Sequence, residues 1–348
     1  MIPRVGQPHP SLQFTDCTRR SHPHMKRRDL LAVLGGAVAA LRLSAADSAE
    51  PVRVGFVSGG DEKGAASFVA ALRDGLAAEG YHDPDTLTLE RLYADYSLDR
   101  VSQLVAELER RGVEVIVTHA AATPIVVKGY RTVPVVYEFS ADPVATGIAA
   151  DLAHPFFNAT GITLMKAELN SKRLEFLHEI APEVQRVAVI TNPLHAGEER
   201  ERDDLGAQAE QLGIHISFVP TPNRLELDRA LDAIATAPPQ ALIAFSDGFV
   251  VENRDTIINF ALSHRLPLIS GWAIMAKSGA LLTYGPRLVE SYRRTAYFVG
   301  RILQGAKPAD LPIEQPTRFE LVVNRKTADA LGLTIPPSIL ARVDEVIE

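Results

Sequence analysis

The sequence contains one cysteine in 348 residues, Cys17, and it lies in a segment that we expect to be absent from the mature protein. The mature chain then has no disulfide, no thiol nucleophile, no cysteine-ligated zinc and no lipid-modified N-terminal cysteine. Several enzyme motifs are also missing, namely G-x-S-x-G, a Walker A lysine after a glycine loop, G-x-G-x-x-G and H-E-x-x-H. We therefore expect a protein without a cofactor, a metal site or catalytic residues.

Basic residues are in the minority, with 36 Lys and Arg against 43 Asp and Glu and a net charge of −7. Removal of the first 46 residues makes the chain more acidic, because most of the charges there are basic. A nucleic-acid partner needs a basic face, and so does anchoring to anionic lipid. The composition disfavours both partners.

Long hydrophobic runs are absent as well. The apolar run at residues 30–41 is shorter than the ~20 residues of a membrane-spanning helix. It follows Lys26-Arg27-Arg28 and precedes the small residues Ser44-Ala45-Ala46, which together predict an export signal over residues 25–46 that is cleaved near Ala46. We prefer this interpretation to a buried core helix, because no polar face alternates with the apolar one. The mature protein is then periplasmic.

The export route stays open at this point. The paired arginines resemble a twin-arginine signal, but a leucine stands where that signal usually has phenylalanine, so Sec export remains an alternative. Residues 1–24 precede Met25, where such a signal normally begins, and we interpret them as an upstream extension or a misassigned start.

From residue 52 onward, β-branched runs alternate with amphipathic stretches, a pattern that predicts parallel strands joined by helical crossovers. The first half has predicted strands at 52–58, 87–93, 113–119 and 134–140, with helices at 65–79, 99–111 and 121–129. The second half repeats this order, with strands at 186–192, 214–220, 241–247 and 266–270 and helices at 198–212, 225–236 and 252–264. The sequence predicts an α/β protein with two doubly wound parallel-sheet lobes.

Glycine and proline mark three places where the chain is expected to cross between the lobes. They are Gly161-Ile162-Thr163, Tyr284-Gly285-Pro286 and Gln315-Pro316-Thr317. Several crossings predict a hinge that bends without letting the lobes separate.

The residues at 302–348 closely resemble the C-terminus of a bacterial family of ABC-transporter substrate-binding proteins. Further matches are Gly55-Phe56, Asp142-Pro143-Val144, the segment 158–163, the run Lys172 to Glu175, Thr191-Asn192-Pro193 and Tyr284-Gly285-Pro286. The resemblance implies a type I periplasmic-binding-protein fold with a multi-crossover hinge, and a family that includes binders of tryptophan and other aromatic amino acids. It also implies that helix 288–303 returns to lobe 1 and strand 319–324 to lobe 2.

The resemblance completes the expected domain organisation and function. Lobe 1 comprises residues 51–161 plus 286–315, and lobe 2 comprises residues 162–285 plus 316–348. We expect a periplasmic monomer that closes around a small molecule, such as an aromatic or branched amino acid, and presents it to a membrane permease. The chain departs from the common family pattern at Glu138-Phe139-Ser140, which leaves open whether Glu138 reaches the cleft.

Ligands of open α/β sheets bind beyond the carboxyl ends of the strands. In lobe 1 this rule selects the ligand-binding candidates Ser58, Gly59, Gly60, His119, Ala120, Ala121, Thr123, Asp142 and Pro143. In lobe 2 it selects Asn192, Asp247-Gly248-Phe249 and Trp272, and Thr163 and Tyr284 at the connectors are further candidates. We expect Ser58 and the backbone amides beside it to form one wall of the cleft.

Asp247 is a candidate for binding a ligand ammonium group, and Phe249 and Tyr284 are candidates for stacking on a ring. Each has a structural alternative, since Asp before Gly is ordinary turn chemistry and an aromatic side chain also packs a core.

Two other functions remain open. One is an exported α/β enzyme that uses His119 with Asp142 or Asp247, and the other is a ligand-sensing subunit of a membrane receptor.

Overall fold

Twelve strands form two sheets in the computed structural model, which describes residues 50–164 and 168–348. The first sheet has the order β2-β1-β3-β4-β5, and all its pairs are parallel. Its strands are β1 (Val52–Ser58), β2 (Leu87–Tyr93), β3 (Val115–His119), β4 (Val135–Phe139) and β5 (Ala159–Thr163). The upstream extension and the export signal predicted above lie outside the described residues.

The second sheet has the order β12-β11-β10-β9-β8-β6-β7. Its pairs are parallel except for β10 and β11, which run antiparallel. The strands are β6 (Arg186–Thr191), β7 (His215–Pro220), β8 (Ala241–Ala244), β9 (Leu268–Ser270), β10 (Leu282–Pro286), β11 (Phe319–Asn324) and β12 (Glu345–Ile347). The chain therefore builds two separate sheets and places its last two strands in the second.

Helices connect the strands and cover the sheets. Those up to the middle of the chain are α1 (Glu62–Ala78), α2 (Leu98–Arg110), α3 (Thr123–Gly129), α4 (Glu168–Ile180), α5 (Glu198–Leu212) and α6 (Arg224–Thr236). The later ones are α7 (Gly248–Glu252), α8 (Arg254–Ser263), α9 (Ala273–Ser278), α10 (Leu288–Leu303), α11 (Arg325–Leu331) and α12 (Pro337–Leu340). None of the helices in the described ranges is long and apolar enough to cross a bilayer.

The inner strands β3 and β4 of the first sheet, and β5, are buried on both faces, as their continuous apolar runs require. Helix α2 buries Val101, Val105 and Leu108, whose spacing places them on one face. Helix α10 packs against α1 on the opposite side of the sheet, where Ala296 lies directly against Gly75. The predicted α/β architecture of two doubly wound parallel-sheet lobes is confirmed.

The predicted helix at 252–264 corresponds to α8, and the short helix α7 that precedes it was not predicted. The side chain of Asp247 caps α7, because it accepts a hydrogen bond from the backbone N–H of Phe249 at 2.9 Å. Asn253 then interrupts the helix, since its side-chain amide donates to the carbonyl of Phe249 at 2.8 Å.

Two of the three predicted connectors are strands. Residues 161–163 belong to β5 and residues 284–286 to β10, so the predicted lobe boundaries after residues 161 and 285 fall inside strands. Gly161 serves close packing there rather than flexibility: it has φ +155°, and a Cβ at this position would overlap the backbone of Tyr137 in β4.

The chain passes between the two sheets at three points. It leaves β5 for α4, leaves β10 for α10 and leaves residue 314 for β11. The third crossing is tied to the first sheet by a bridge between Ile162 and Glu314 and by a bidentate ion pair between Arg294 and Glu314, at 2.7 and 2.6 Å.

Replacing Gly161 with alanine is expected to destabilise the protein by about 2–3 kcal/mol, because the added methyl meets backbone that has no room to move. The matched control is Gly206→Ala in α5, where no atom lies within 4 Å and the change is expected to be neutral or stabilising. Urea unfolding measures both. Equal stability of the two variants would show that β4 and β5 are not packed as described.

Candidate ligand-binding site

A cavity lies where the carboxyl ends of strands from both sheets meet. Of the predicted site residues, those that line this main cavity are Gly59, Gly60, His119, Ala120, Ala121, Asn192, Asp247 and Phe249. The first five follow β1 and β3 of the first lobe, and the last three follow β6 and β8 of the second. As the rule for strand ends predicts, the fold brings together residues that are far apart in the sequence.

The main cavity also contains residues that the sequence analysis missed. They are Tyr96, Leu98, Leu194, Pro222 and Glu252, whereas Gly248, which also lines this cavity, belongs to the predicted segment Asp247-Gly248-Phe249. Tyr96 and Asp95 follow β2 with φ of 64° and 49°, a backbone conformation that non-glycine residues rarely adopt. Nothing in the sequence pattern marks this turn, and only the tertiary fold brings Tyr96 to the cavity.

Asp247 is held in a defined orientation and is only 4% exposed. Its Oδ1 accepts hydrogen bonds from the side-chain amide of Asn192 at 3.0 Å and from the N–H of Phe249 at 2.9 Å. Its Oδ2 makes no hydrogen bond with any residue in the described ranges. The side chain therefore acts as a helix cap and still offers one acceptor.

Glu252 reaches from α7 of the second lobe to the first lobe. Its carboxylate lies so close to Gly60 and Gly64 that a Cβ on either glycine would overlap it. Burial raises the pKa of Glu252 to about 7, a hydrogen bond from Tyr96 lowers it, and the charges of Asp61 and Asp247 raise it. Near neutral pH, this carboxyl is close to the midpoint of its titration.

The rest of the main cavity is apolar and aromatic. The rings of Tyr96 and Phe249 meet edge to face across the lobes, with centroids 6.1 Å apart. Of the charged residues in the described part of the chain, Asp247 and Glu252 line this cavity, and no lysine or arginine does. Its chemistry is acidic and aromatic.

Ser58 lies behind the wall rather than on it, contrary to our expectation that its hydroxyl faces the ligand. The residue is fully buried, its Oγ accepts a hydrogen bond from the N–H of Gly60 at 3.1 Å, and it lies 3.0 Å from Nε2 of His119. The imidazole stacks on Phe56 and Phe68, at centroid distances of 5.5 and 4.1 Å. Burial lowers the pKa of His119 to about 4, so the ring is neutral.

Glu138 continues this buried row, because it pairs with His119 across β3 and β4. It is 4% exposed, and burial raises its pKa to about 8. Glu138 does not line the main cavity.

The remaining predicted residues lie outside the main cavity. Thr123 is fully buried, Asp142 caps the turn that includes Pro143, and Thr163 donates to the carbonyl of Ala141 at 2.9 Å. Tyr284 packs between Phe176 and Phe319 in the second lobe, at centroid distances of 5.3 and 6.2 Å, where a stacked ligand has no access through the main cavity.

In the described part of the chain, His119 does not pair with Asp142 or Asp247, as the enzyme alternative requires. Nδ1 of His119 has no hydrogen-bond partner among the residues that the structure describes. Asp142 bonds its own turn and lies 3.7 Å from Arg200, while Asp247 bonds Asn192.

A second cavity lies beside the first, and the sequence analysis missed it. It is lined by Ser140, Leu164, Leu169, Arg173, Glu201, Ser246, Trp272 and Pro286. Across its edge, the hydroxyl of Ser140 lies 2.8 Å from Nε2 of His195 in the other lobe. Of its lining residues, the strand-end rule selects Trp272, and Arg173 belongs to the run Lys172 to Glu175 that carries the family resemblance.

Within the described ranges, no group of three or more His, Cys, Asp or Glu residues is arranged to hold a metal ion.

Comparison with solved structures gives several matches to the whole fold. An ABC domain from Streptococcus pneumoniae in complex with L-Trp is 22% identical with a TM-score of 0.78, and the match covers 85% of this chain and 100% of that one. A conserved domain protein from Vibrio cholerae is 25% identical with a TM-score of 0.77, over 85% and 99% of the two chains.

A more distant match is a 5-methylthioribose transporter solute-binding protein from Thermotoga lettingae. It is 15% identical with a TM-score of 0.57, and the match covers 84% of this chain and 97% of that one. Among proteins with curated descriptions, none matches this chain.

The family described as ABC transporter substrate binding protein matches residues 56–347, nearly all of the two-lobed part of the chain. The match includes every residue of both cavities, and the structural neighbours share the two-lobed fold. The chain therefore belongs to the ABC transporter substrate-binding protein family.

Proposed function

We propose that this protein is the periplasmic solute-binding component of an ABC import system and that its ligand is an amino acid with an aromatic or branched side chain. The observation that carries the proposal is the main cavity, in which strand ends of both lobes meet around two carboxylates and two aromatic rings.

Asp247 and Glu252 give the main cavity its preference for a cation. An ammonium group forms strong charge-assisted hydrogen bonds with carboxylates, and Oδ2 of Asp247 has no competing donor among the described residues. Because no lysine or arginine of the ranges 50–164 and 168–348 lines this cavity, no described side chain there repels a ligand cation.

Phe249 and Tyr96 supply the apolar part of the site. Their rings form a wall for an aromatic or branched side chain, and an aromatic ring also attracts a neighbouring ammonium group. The complex of the Streptococcus pneumoniae protein with L-Trp supports a ligand of this class.

The two lobes contact each other directly around the cleft. Ser140 bonds His195, Arg200 lies 3.7 Å from Asp142, and Tyr96 meets Phe249. A ligand shifts the balance between open and closed forms only through its extra contacts in the closed form. Residues from both lobes are therefore needed to couple binding to closure.

The biological setting follows from the same proposal. The protein is exported through the signal at residues 25–46, acts as a monomer in the periplasm and presents its closed surface to a membrane permease.

Calorimetric titration of the purified protein tests the proposed function. At least one member of a panel of amino acids, sugars and other small metabolites is expected to bind saturably and to be recovered unchanged. If no compound of the panel binds, a solute-binding role is contradicted. If the bound compound is converted to a product, the enzyme alternative is favoured.

Replacing Asp247 with asparagine is expected to weaken binding of the ligand found in that panel by about tenfold or more, because the ammonium loses a charged partner. Asparagine keeps an oxygen that caps α7, so stability should change little. Asp203→Asn, on the exposed face of α5, is the matched control and should bind as the parent does. Equal affinities of the two variants would remove Asp247 from the ligand site.

Binding of an ammonium ligand is expected to strengthen as the pH rises from 6 to 8. The pKa of Glu252 is raised to about 7, mainly by burial, so the carboxyl is mostly protonated at pH 6 and mostly ionised at pH 8. A cation favours the ionised form, so binding near pH 7 should release a proton. Calorimetry in buffers of different ionisation enthalpy measures this release.

Glu252→Gln is expected to bind more weakly at pH 8 and to lose most of this pH dependence. Burial lowers the pKa of His119 to about 4 and raises that of Glu138 to about 8. Both groups are unchanged in this variant and continue to titrate. An unchanged pH profile in Glu252→Gln would assign the titration to another group.

A further inference from the structure

Arg173 is almost completely buried in the second cavity, with 2% of its surface exposed. Its Nε donates to the carbonyl of Tyr284 at 2.8 Å, and its Nη1 donates to the side-chain oxygen of Asn170. Its Nη2 makes no hydrogen bond with any residue of the ranges 50–164 and 168–348. A buried guanidinium with an unused donor is costly unless something else accepts from it.

The unused nitrogen packs against Gly271 in room that a side chain at that position would take, and it also lies near Gly285. Nη2 lies 2.5 Å from the place where a Cβ of Gly271 would be and 3.3 Å from that of Gly285. The hydroxyl of Ser246 lies against the same point beside Gly271 and has no partner within the described residues. Two donors therefore converge on one small region.

The charge of Arg173 is not neutralised by a direct partner. Burial lowers its pKa only to about 10, so the guanidinium stays protonated near neutral pH. Glu201 lines the same cavity, and its charge raises the pKa of Arg173. In the described part of the chain, however, the guanidinium makes no ion pair within 4.0 Å, and its bonds go to Tyr284 and Asn170.

We propose that Arg173 and Ser246 bind a carboxylate of the ligand. Nη2 of Arg173 and the hydroxyl of Ser246 donate to it, and the nearby Trp272 shields it from water. The ligand is then a zwitterion that carries both a carboxylate and an ammonium group, which excludes simple amines and sugars. This inference rests on the proposed function and specifies the substrate class of the same cleft.

The position of the second cavity suits such a ligand. Ser246 lines the second cavity and Asp247, the next residue, lines the first, with Cα atoms about 3.8 Å apart. Asp247 also contributes to the raised pKa of Glu201, which lines the second cavity. In the proposed arrangement, the carboxylate of one small molecule binds Arg173 and its ammonium group binds Asp247.

Matched pairs of amino acids and their decarboxylated amines test the proposal. The probes are L-tryptophan with tryptamine and L-leucine with 3-methylbutylamine, titrated by calorimetry beside a panel of neutral sugars. The parent protein should bind the amino acid of at least one pair about tenfold or more tightly than its amine. Ser246→Ala should reduce this ratio several-fold and Arg173→Lys by about tenfold, since lysine keeps the charge but loses the fork of donors.

The control is Ser263→Ala on the exposed surface of α8, which should keep the ratio of the parent. If Arg173→Lys does not fold, Ser246→Ala decides the test, because it leaves the bonds from Arg173 to Tyr284 and Asn170 in place. An unchanged ratio in Ser246→Ala, or equal binding of acid and amine by the parent, would overturn the carboxylate site.

The outcomes also separate the two proposals. Equal binding of an amino acid and its amine overturns the carboxylate site alone, whereas binding of amines or sugars without any amino acid also overturns the amino-acid ligand and leaves only solute binding. Failure of every probe and of the wider panel overturns both.

Discussion

The parallel direction of the strands is the constraint on which the cleft depends. Each helical crossover returns the chain to the edge of the sheet where the strands begin. Strands β1, β3 and β4 therefore all end at the opposite edge of the first lobe. Strands β6, β8 and β9 end at the facing edge of the second lobe. The residues that follow these strands are therefore brought together although more than a hundred positions separate them in the chain. Neither lobe contains the main cavity alone.

In the proposed function, burial of charged groups at this junction links binding to closure. Glu252 and Asp247 face the main cavity, and Arg173 faces the second. A dry cleft strengthens every charge interaction inside it, and it equally raises the cost of each charge that has no partner. A ligand with matching charges relieves this cost in the closed form, whereas an uncharged ligand leaves it in place. The same groups can thus provide both affinity and selection among solutes.

The sequence was informative where one local pattern decides the structure. Strand β1 and helix α2 follow from β-branched runs and from apolar residues on one helix face, and the strand-end rule selected Asn192, Asp247 and Phe249. It failed where glycine allows close packing instead of a turn, as at Gly161 in β5 and Gly285 in β10. In both cases the neighbouring backbone, which only the fold supplies, explains the residue.

Residues that reach the cleft from a distance were also beyond sequence analysis. Tyr96 comes from a turn after an edge strand, Glu252 from the end of a short helix and Arg173 from the middle of α4. Ser58 shows the opposite error. It was correctly placed at the end of β1, but its side chain turns inward to His119, and a sequence pattern does not distinguish these directions at a strand end.

Ligand-driven closure of the two lobes can be tested by measuring a distance between one label on each lobe. Spin labels at Lys63→Cys on α1 and Asp255→Cys on α8, in a Cys17→Ser background, report the separation of the lobes at two exposed positions. With a saturating ligand from the titration panel, the distances should narrow to a single short population, in agreement with the contacts between the lobes at Ser140 and His195 and at Tyr96 and Phe249. Identical distance distributions with and without that ligand would contradict the account.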